Sequence, residues 1–177
     1  PEEAKRKAYQ MIKNSQQEEK DWVFCVSRNH REEFPGKSPH GPRIAVLDFG
    51  CKENTLRHLL ERCHSVCIFP SRTSAQEIQQ WKPDGLLLSN GPGDPVQVIK
   101  ATDTVKSLMG TFPIFGICMG HQILAQALGA KTYKLKYGHR GGNHPINDQL
   151  LKRVYVTSQN HGYAVDESSL PSHVIVS

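Results

Sequence analysis

The sequence predicts an α/β fold in which a mostly parallel β-sheet is flanked by helices on both faces. Two observations support this fold class. Short apolar segments alternate with amphipathic segments from position 44 onward. The apolar segments are continuous, which is typical of strands buried on both faces. With 177 residues, of which 37% are hydrophobic, the chain is long enough to bury one such core.

The first 42 residues differ from the rest of the chain. Residues 1–21 are polar, and their few apolar side chains have helical spacing, which predicts a surface helix or connector. Residues 22–26 are predicted as a short strand, and the prolines and glycines between positions 35 and 42 indicate a linker. We therefore expect residues 1–42 to connect to an amino-terminal domain absent from this sequence, and residues 43–177 to form the main domain.

Beyond the linker, predicted strands and helices alternate. Ser74 and Glu77 have the spacing of a capping box, and Leu56, Leu59 and Leu60 share one face of the preceding helix. In such sheets, ligands bind at the carboxyl ends of the strands, so the loops that leave those ends are candidate sites. Strands are predicted at residues 44–49, 65–69, 85–89 and 112–115, and helices at residues 53–62, 74–81 and 119–128.

A cysteine between two glycines follows the last of these strands. Gly116 and Gly120 lie two positions on either side of Cys118, at a predicted strand-to-helix junction. This is the pattern of a nucleophile elbow, in which the glycines permit the sharp turn and close helix packing. A helix N-terminus also stabilises negative charge on a sulfur. Cys118 is therefore predicted to be a nucleophile; the alternative is a buried cysteine in an ordinary turn.

A second candidate loop, residues 90–95, follows the leucine-rich strand and has the sequence NGPGDP. Its paired glycines and prolines predict a rigid backbone that approaches its neighbours closely. If the two strands are parallel neighbours, the backbone amides of Gly93 and Met119 converge near the Cys118 sulfur. Two fixed donors at that point would form an oxyanion hole for acyl transfer. The alternative interpretation is a simple turn.

Composition and charge exclude several functions. The net charge of +5 arises from basic residues scattered among acidic ones, so we expect neither nucleic acid nor a membrane as a partner. The five cysteines lack the spacing of a disulfide framework and favour a reducing, cytoplasmic location. We predict small buried thiols and no metal site for the cluster of Cys51, Cys63, His64 and Cys67, because paired C-x-x-C spacing is missing. The basic stretch around Gly138 is interpreted as a solvated hairpin, with partner contact as the alternative.

The two candidate loops together resemble those of class I, triad-type glutamine amidotransferases. Three further stretches resemble the small, glutamine-hydrolysing subunit of carbamoyl phosphate synthetase in particular. These stretches are DFGCK at residues 48–52, YGHRGGNHP at residues 137–145 and TSQNHGYAV at residues 157–165. The resemblance covers residues 43–177, which are therefore expected to be a glutamine amidotransferase domain.

The resemblance implies a two-step hydrolysis of glutamine. The Cys118 thiolate attacks the carboxamide carbon, ammonia leaves, and water hydrolyses the thioester to glutamate. The ammonia then passes to a large synthetase subunit that makes carbamoyl phosphate, for pyrimidine or arginine synthesis, from bicarbonate and ATP. ATP and Mg are used by that partner, and no cofactor is expected in this chain. The residues that would hold L-glutamine are Gly91, Gly93, Met119, Gln122, Asn160, Gly162 and Tyr163.

The sequence departs from the family pattern at the general base. In the family this base is the histidine of a His-Pro-Glu motif, and no such motif occurs here, since His144 and Pro145 are followed by Ile146. His161 falls in the substrate-binding loop and is not expected to replace the base. We expect the chain to end before the base, the last strand and the final helix, so that alone it is a poor catalyst. Two alternatives stay open: an amidotransferase subunit of another synthase, or a non-catalytic glutamine-binding or assembly module.

Overall fold

A five-stranded sheet and a separate two-stranded hairpin organise the computed structural model, which describes residues 2–14 and 21–177. The sheet has the strand order β1-β3-β2-β4-β5. Strands β2 to β5 run parallel, and β1 pairs antiparallel with β3 at one edge. The predicted mostly parallel sheet is therefore confirmed. Its strands are β1 (Glu32–Pro35), β2 (Arg43–Asp48), β3 (Ser65–Pro70), β4 (Gly85–Leu88) and β5 (Ile114–Gly116).

Helices follow the parallel strands, as the sequence predicts, although the helix at residues 99–108 was not predicted individually. Helix α3 joins β2 to β3, α4 joins β3 to β4, and α5 joins β4 to β5, so each connection is a crossover between parallel strands. The predicted cap of α4 is observed, because the Ser74 hydroxyl accepts a hydrogen bond from the Glu77 N–H at 3.2 Å. The helices are α1 (Glu2–Asn14), α2 (Trp22–Val26), α3 (Glu53–Leu60), α4 (Ala75–Gln80), α5 (Ile99–Leu108) and α6 (Met119–Ala127).

The strands bury side chains on both faces of the sheet. In β2, Ala45 and Leu47 join a large cluster with residues of α4, α5 and α6, whereas Val46 joins a smaller cluster with Leu56 of α3. Successive side chains of a strand point to opposite faces, so a continuous apolar strand fills both clusters. The prediction of helices on each face of the sheet is confirmed.

The structure corrects the prediction for residues 22–26. This segment is the helix α2, not a strand, because the Asp21 carboxylate caps it and accepts a hydrogen bond from the Phe24 N–H at 2.9 Å. A run of five apolar residues fits either conformation, and the cap favours the helix. Val23 of this helix is only 1% exposed and belongs to the large cluster. The connector role of residues 1–42 stays a prediction, although this segment supplies α2 and β1.

A long antiparallel hairpin lies beyond α6 and confirms the interpretation of the basic stretch as a hairpin. It consists of β6 (Thr132–Asp148) and β7 (Arg153–Val165). Their pairing is irregular between Lys134 and His139 and again between Gly141 and His144. Such irregularities bend a strand and redirect its side chains. The hairpin brings residues 159–163 back towards the carboxyl ends of the parallel strands.

Candidate active site

The backbone at Cys118 has the geometry of a nucleophile elbow. Cys118 lies between β5 and α6 with φ of 53° and ψ of −104°. A positive φ at a residue other than glycine costs about 1–3 kcal/mol and persists only where its surroundings enforce it. A Cβ atom on Gly116 would lie 2.5 Å from the carbonyl carbon of Gly120, so no side chain fits there. The structure thus confirms the predicted strand-to-helix turn and the need for both flanking glycines.

Hydrogen bonds to the end of β4 fix the position of this elbow. The Ile117 N–H donates to the Leu88 carbonyl at 3.0 Å, and the Gly120 N–H donates to the Ser89 carbonyl at 3.1 Å. The Ser89 hydroxyl in turn accepts from the Phe49 N–H and donates to the Asn90 carbonyl, both at 2.9 Å. The elbow, the end of β2 and the loop after β4 therefore form one connected backbone unit.

The loop of residues 90–95 packs closely against the segment that follows β2. A Cβ atom on Gly91 would lie 2.8 Å from the Phe49 Cβ, and the Asn90 side chain donates to the Gly50 carbonyl at 2.9 Å. Gly93 has φ of 91°, which glycine adopts without strain. The close backbone approach expected of this loop is therefore observed. These contacts fix the loop more firmly than a simple turn.

Two backbone amides near the elbow have no acceptor. Within residues 2–14 and 21–177, neither the Gly93 N–H nor the Met119 N–H donates to a protein atom. Met119 is the first residue of α6, where N–H groups have no partner inside the helix. Both amides are therefore available to an oxygen atom of a ligand. Their role as an oxyanion hole stays a prediction.

The hairpin closes the site from the opposite side. The Cys118 sulfur lies 3.9 Å from the Asn160 carbonyl oxygen, and the Gln122 side chain donates to the Tyr163 carbonyl at 2.7 Å. Gln122 is only 6% exposed, so its side chain is fixed between α6 and β7. Burial, together with the nearby Asp94 carboxylate, raises the pKa of the Tyr163 hydroxyl. Four of the predicted residues, namely Cys118, Gln122, Asn160 and Tyr163, thus come together across forty positions of sequence.

His161 lies in the hairpin with both ring nitrogens in contact with groups other than the sulfur. Its Nδ1 lies 2.8 Å from the Tyr163 carbonyl, and its Nε2 lies 3.0 Å from Gln159 Oε1 and 3.1 Å from His139 Nδ1. The ring therefore supports the β7 backbone on either side of Gly162. This arrangement agrees with the expectation that His161 does not act as the general base.

A profile of the glutamine amidotransferase class-I family matches residues 45–177. The chain belongs to this family. The matched segment includes the elbow, the loop of residues 90–95 and the whole hairpin.

Curated relatives of this amidotransferase are carbamoyl phosphate synthase small chains. That of Clostridium acetobutylicum is 54% identical over 150 residues, which is 85% of this chain and 42% of the relative. That of Methanococcus vannielii is 48% identical over 157 residues, 89% of this chain and 42% of the relative. The chain thus spans less than half the length of these relatives. A solved structure of a putative GMP synthase subunit from Thermoplasma acidophilum is 26% identical with a TM-score of 0.59, and the match covers 75% of this chain and 70% of that one.

Three other cysteines of the chain are buried or partly buried. Cys63 and Cys67 are buried, and burial raises the pKa of both thiols. Burial also raises the pKa of Cys51 to about 11. Thiols with raised pKa are poor nucleophiles at neutral pH. No group of three or more potential metal ligands occurs in the described parts of the chain.

The sequence did not predict that α2 contributes to the amidotransferase site. A Cβ atom on Gly93 would lie 3.3 Å from the Trp22 Cβ, and one on Gly50 would lie 3.2 Å from a Val26 methyl group. The available signal was Asp21, three positions before Phe24, which has the spacing of a helix N-cap. Once the segment is recognised as a helix, its half-exposed aromatic side chain becomes a candidate neighbour of the loop of residues 90–95.

Proposed function

We propose that this chain hydrolyses glutamine to glutamate and ammonia through a thioester on Cys118. The observation that carries the proposal is the elbow itself, because Cys118 holds a positive φ at the start of α6, with two unpaired backbone amides in the adjoining segments. Backbone strain at a nucleophile is typical of sites where the turn presents the side chain to a substrate. No other described cysteine lies at such a turn.

The site supplies candidate groups for the nucleophilic attack and for stabilisation of the oxyanion. The sulfur forms a bond to the carboxamide carbon, and the carbonyl oxygen takes up negative charge that the Gly93 and Met119 amides would stabilise. Collapse of that intermediate breaks the carbon–nitrogen bond and releases ammonia, for which a proton must be supplied. Water then attacks the thioester and frees glutamate and the thiol.

The hairpin and helix α6 are proposed to hold the amino-acid end of glutamine. Asn160 lies next to the Cys118 sulfur, and Gln122 joins α6 to β7 through the Tyr163 carbonyl. Gly91, Gly162 and the Tyr163 ring would complete the pocket. Fixed polar groups around the substrate convert a bimolecular encounter into an oriented attack.

The proposed partner is the large synthetase subunit that makes carbamoyl phosphate. Identity of 54% to a carbamoyl phosphate synthase small chain supports this choice over another synthase. ATP and Mg would be used by that partner, and this chain is proposed to need no cofactor. We also propose a cytoplasmic location, supported by five cysteines that form no disulfide. None of the helices in residues 2–14 and 21–177 has the length and apolar character needed to cross a membrane.

The proposal can be tested by covalent labelling of the complete protein with a diazoketone analogue of glutamine. We expect modification of Cys118 that glutamine suppresses, and no modification of Cys25, an exposed thiol that serves as an internal control. In the complex with the large subunit, Cys118→Ser should abolish carbamoyl phosphate synthesis from glutamine and preserve synthesis from free ammonia. Labelling that glutamine does not suppress, or loss of both activities, would overturn the proposal.

A further inference from the structure

Helix α2 lies against the loop that carries Gly93, although it precedes the segment matched by the family profile. The profile begins at residue 45, whereas α2 spans Trp22–Val26. Its position is fixed independently of the loop. Val23 is 1% exposed in the large cluster, and Arg72 both pairs with Asp21 at 3.1 Å and lies over the Phe24 ring at 3.7 Å.

The residues directly after α2 attach it to the ends of β2 and β3. The Ser27 hydroxyl accepts from the Ser71 N–H at 2.9 Å, and Asp48 accepts from the Arg28 N–H at 2.8 Å. The same Asp48 carboxylate accepts from the Gly50 and Cys51 N–H groups at 3.0 and 2.7 Å. Asp48 is 1% exposed, so these bonds form in a buried, rigid environment. Helix α2 is therefore a fixed surface next to the loop of residues 90–95.

Two side chains of α2 face the glycines at this end of the sheet. Around a Cβ position on Gly93, the nearest atoms are all from Trp22, with its Cβ at 3.3 Å and Cδ1 at 3.4 Å. A Cβ atom built on Gly50 would lie 3.2 Å from a Val26 methyl group and 3.5 Å from the Pro92 ring. Gly93 has no side chain with which to fix its own backbone. The Trp22 side chain is therefore the nearest neighbour of Gly93 in the direction that a Gly93 side chain would take.

Trp22 does not belong to the large core cluster. Trp22 is 48% exposed, whereas Val23 supplies the buried anchor of the same helix. A glycine with φ of 91° can rotate its peptide plane with little steric restriction from its own atoms. An oxyanion donor, however, must keep one direction to stabilise the developing charge.

We propose that Trp22 is a positioning residue that fixes the direction of the Gly93 N–H, so that α2 belongs to the catalytic unit. The inference rests on the proposed glutaminase function. It concerns a residue outside the family profile, and it predicts a defect in the bond-forming step and little change in ligand affinity. A residue that only stabilises the fold would not separate these two quantities.

The test measures inactivation of the complete protein by a diazoketone analogue of glutamine over a range of concentrations. This gives a maximal inactivation rate and a half-saturating concentration for each variant. We expect Trp22→Ala to lower the maximal rate about tenfold, since displacement of a catalytic group by 1 Å can cost about a hundredfold. The half-saturating concentration should change less than about twofold, because ground-state contacts are retained.

Three further variants make the result specific. Trp22→Phe retains an aromatic ring against Gly93 and should recover most of the rate. Cys25→Ala changes an exposed side chain of the same helix that contacts neither the loop nor Arg72, and should behave as wild type. Trp22→Gln keeps helix propensity and a polar surface, and should repeat the Trp22→Ala result if the alanine variant does not fold.

The outcomes distinguish the two proposals. Suppose that glutamine suppresses the labelling of the wild-type protein, but Trp22→Ala and Trp22→Gln both keep its maximal inactivation rate. This result would overturn the inference about Trp22 and leave the proposed function standing. An equal loss of rate in Cys25→Ala would also overturn it, because the effect would then belong to helix α2 as a whole and not to the Trp22 side chain. Wild-type protein that shows no glutamine-suppressible labelling would overturn the proposed function and the inference with it.

Discussion

The closest packing in the elbow occurs at Gly120, which makes Gly120→Ala an informative perturbation. The added Cβ would lie 2.6 Å from both the carbonyl carbon and the Cβ of Leu88, and it would overlap the Leu88 carbonyl oxygen as well. Ordinary contacts begin at 3.4 Å, so α6 must move away from β4 by more than about 0.8 Å, because the Leu88 carbonyl oxygen lies closer still. Overpacking of this kind costs about 1–3 kcal/mol of stability.

The same shift should affect the reaction more than the fold. Because Cys118 is the N-cap of α6, a displaced helix moves both the sulfur and the Met119 N–H, and misplacement by 1 Å can cost about a hundredfold in rate. Urea unfolding and glutamine hydrolysis measure the two effects. Gly142→Ala is the matched control, because nothing lies within 4 Å of its Cβ position. A Gly120→Ala protein with wild-type rate and stability would refute the reasoning on close helix–strand packing.

Three further predictions concern the surroundings of the site. Gln122→Met removes the 2.7 Å hydrogen bond to the Tyr163 carbonyl and should raise the KM for glutamine at least about tenfold. Steady-state kinetics measure this KM, and an unchanged value would contradict the assignment of Gln122 to the glutamine pocket. Asp94→Asn should lower the pKa of Tyr163 towards its ordinary value of 10.0 but not fully, because burial is the larger cause of the raised pKa. Ultraviolet titration of the phenol measures this pKa, and an unaltered titration would exclude an interaction between Asp94 and Tyr163. Asp48→Ala leaves three buried or partly buried backbone N–H groups without their acceptor and removes one of three carboxylate partners of the Arg28 guanidinium. It should cost about 3–5 kcal/mol in urea unfolding, and a loss below about 1 kcal/mol would contradict the prediction.

The features that could be predicted from the sequence are those determined by residues a few positions apart. The glycines around Cys118 and the Ser74 cap act within a few positions of themselves, and the structure has both features. Strand β1 was not predicted, because its sequence EEFP contains only one apolar side chain, Phe34, that packs against the core. Its pairing depends on β3, more than thirty positions away. Propensity alone does not reveal such an edge strand.

The same distinction between local and long-range determinants applies to the candidate site. The turn at Cys118 requires Gly116 and Gly120, which both belong to the elbow motif, so the nucleophile can be recognised from a short stretch of sequence. The hydrogen bonds from the elbow to the end of β4 are long-range and could not be recognised in this way. The direction of the Gly93 amide has no such local source, since a glycine with positive φ imposes nothing on its own peptide plane. That direction depends on Trp22, seventy-one positions earlier, whose helix is held by bonds to β2 and the end of β3. A catalytic donor that lacks a side chain must take its orientation from tertiary contacts, and therefore part of the proposed site lies outside the motifs that identify the family.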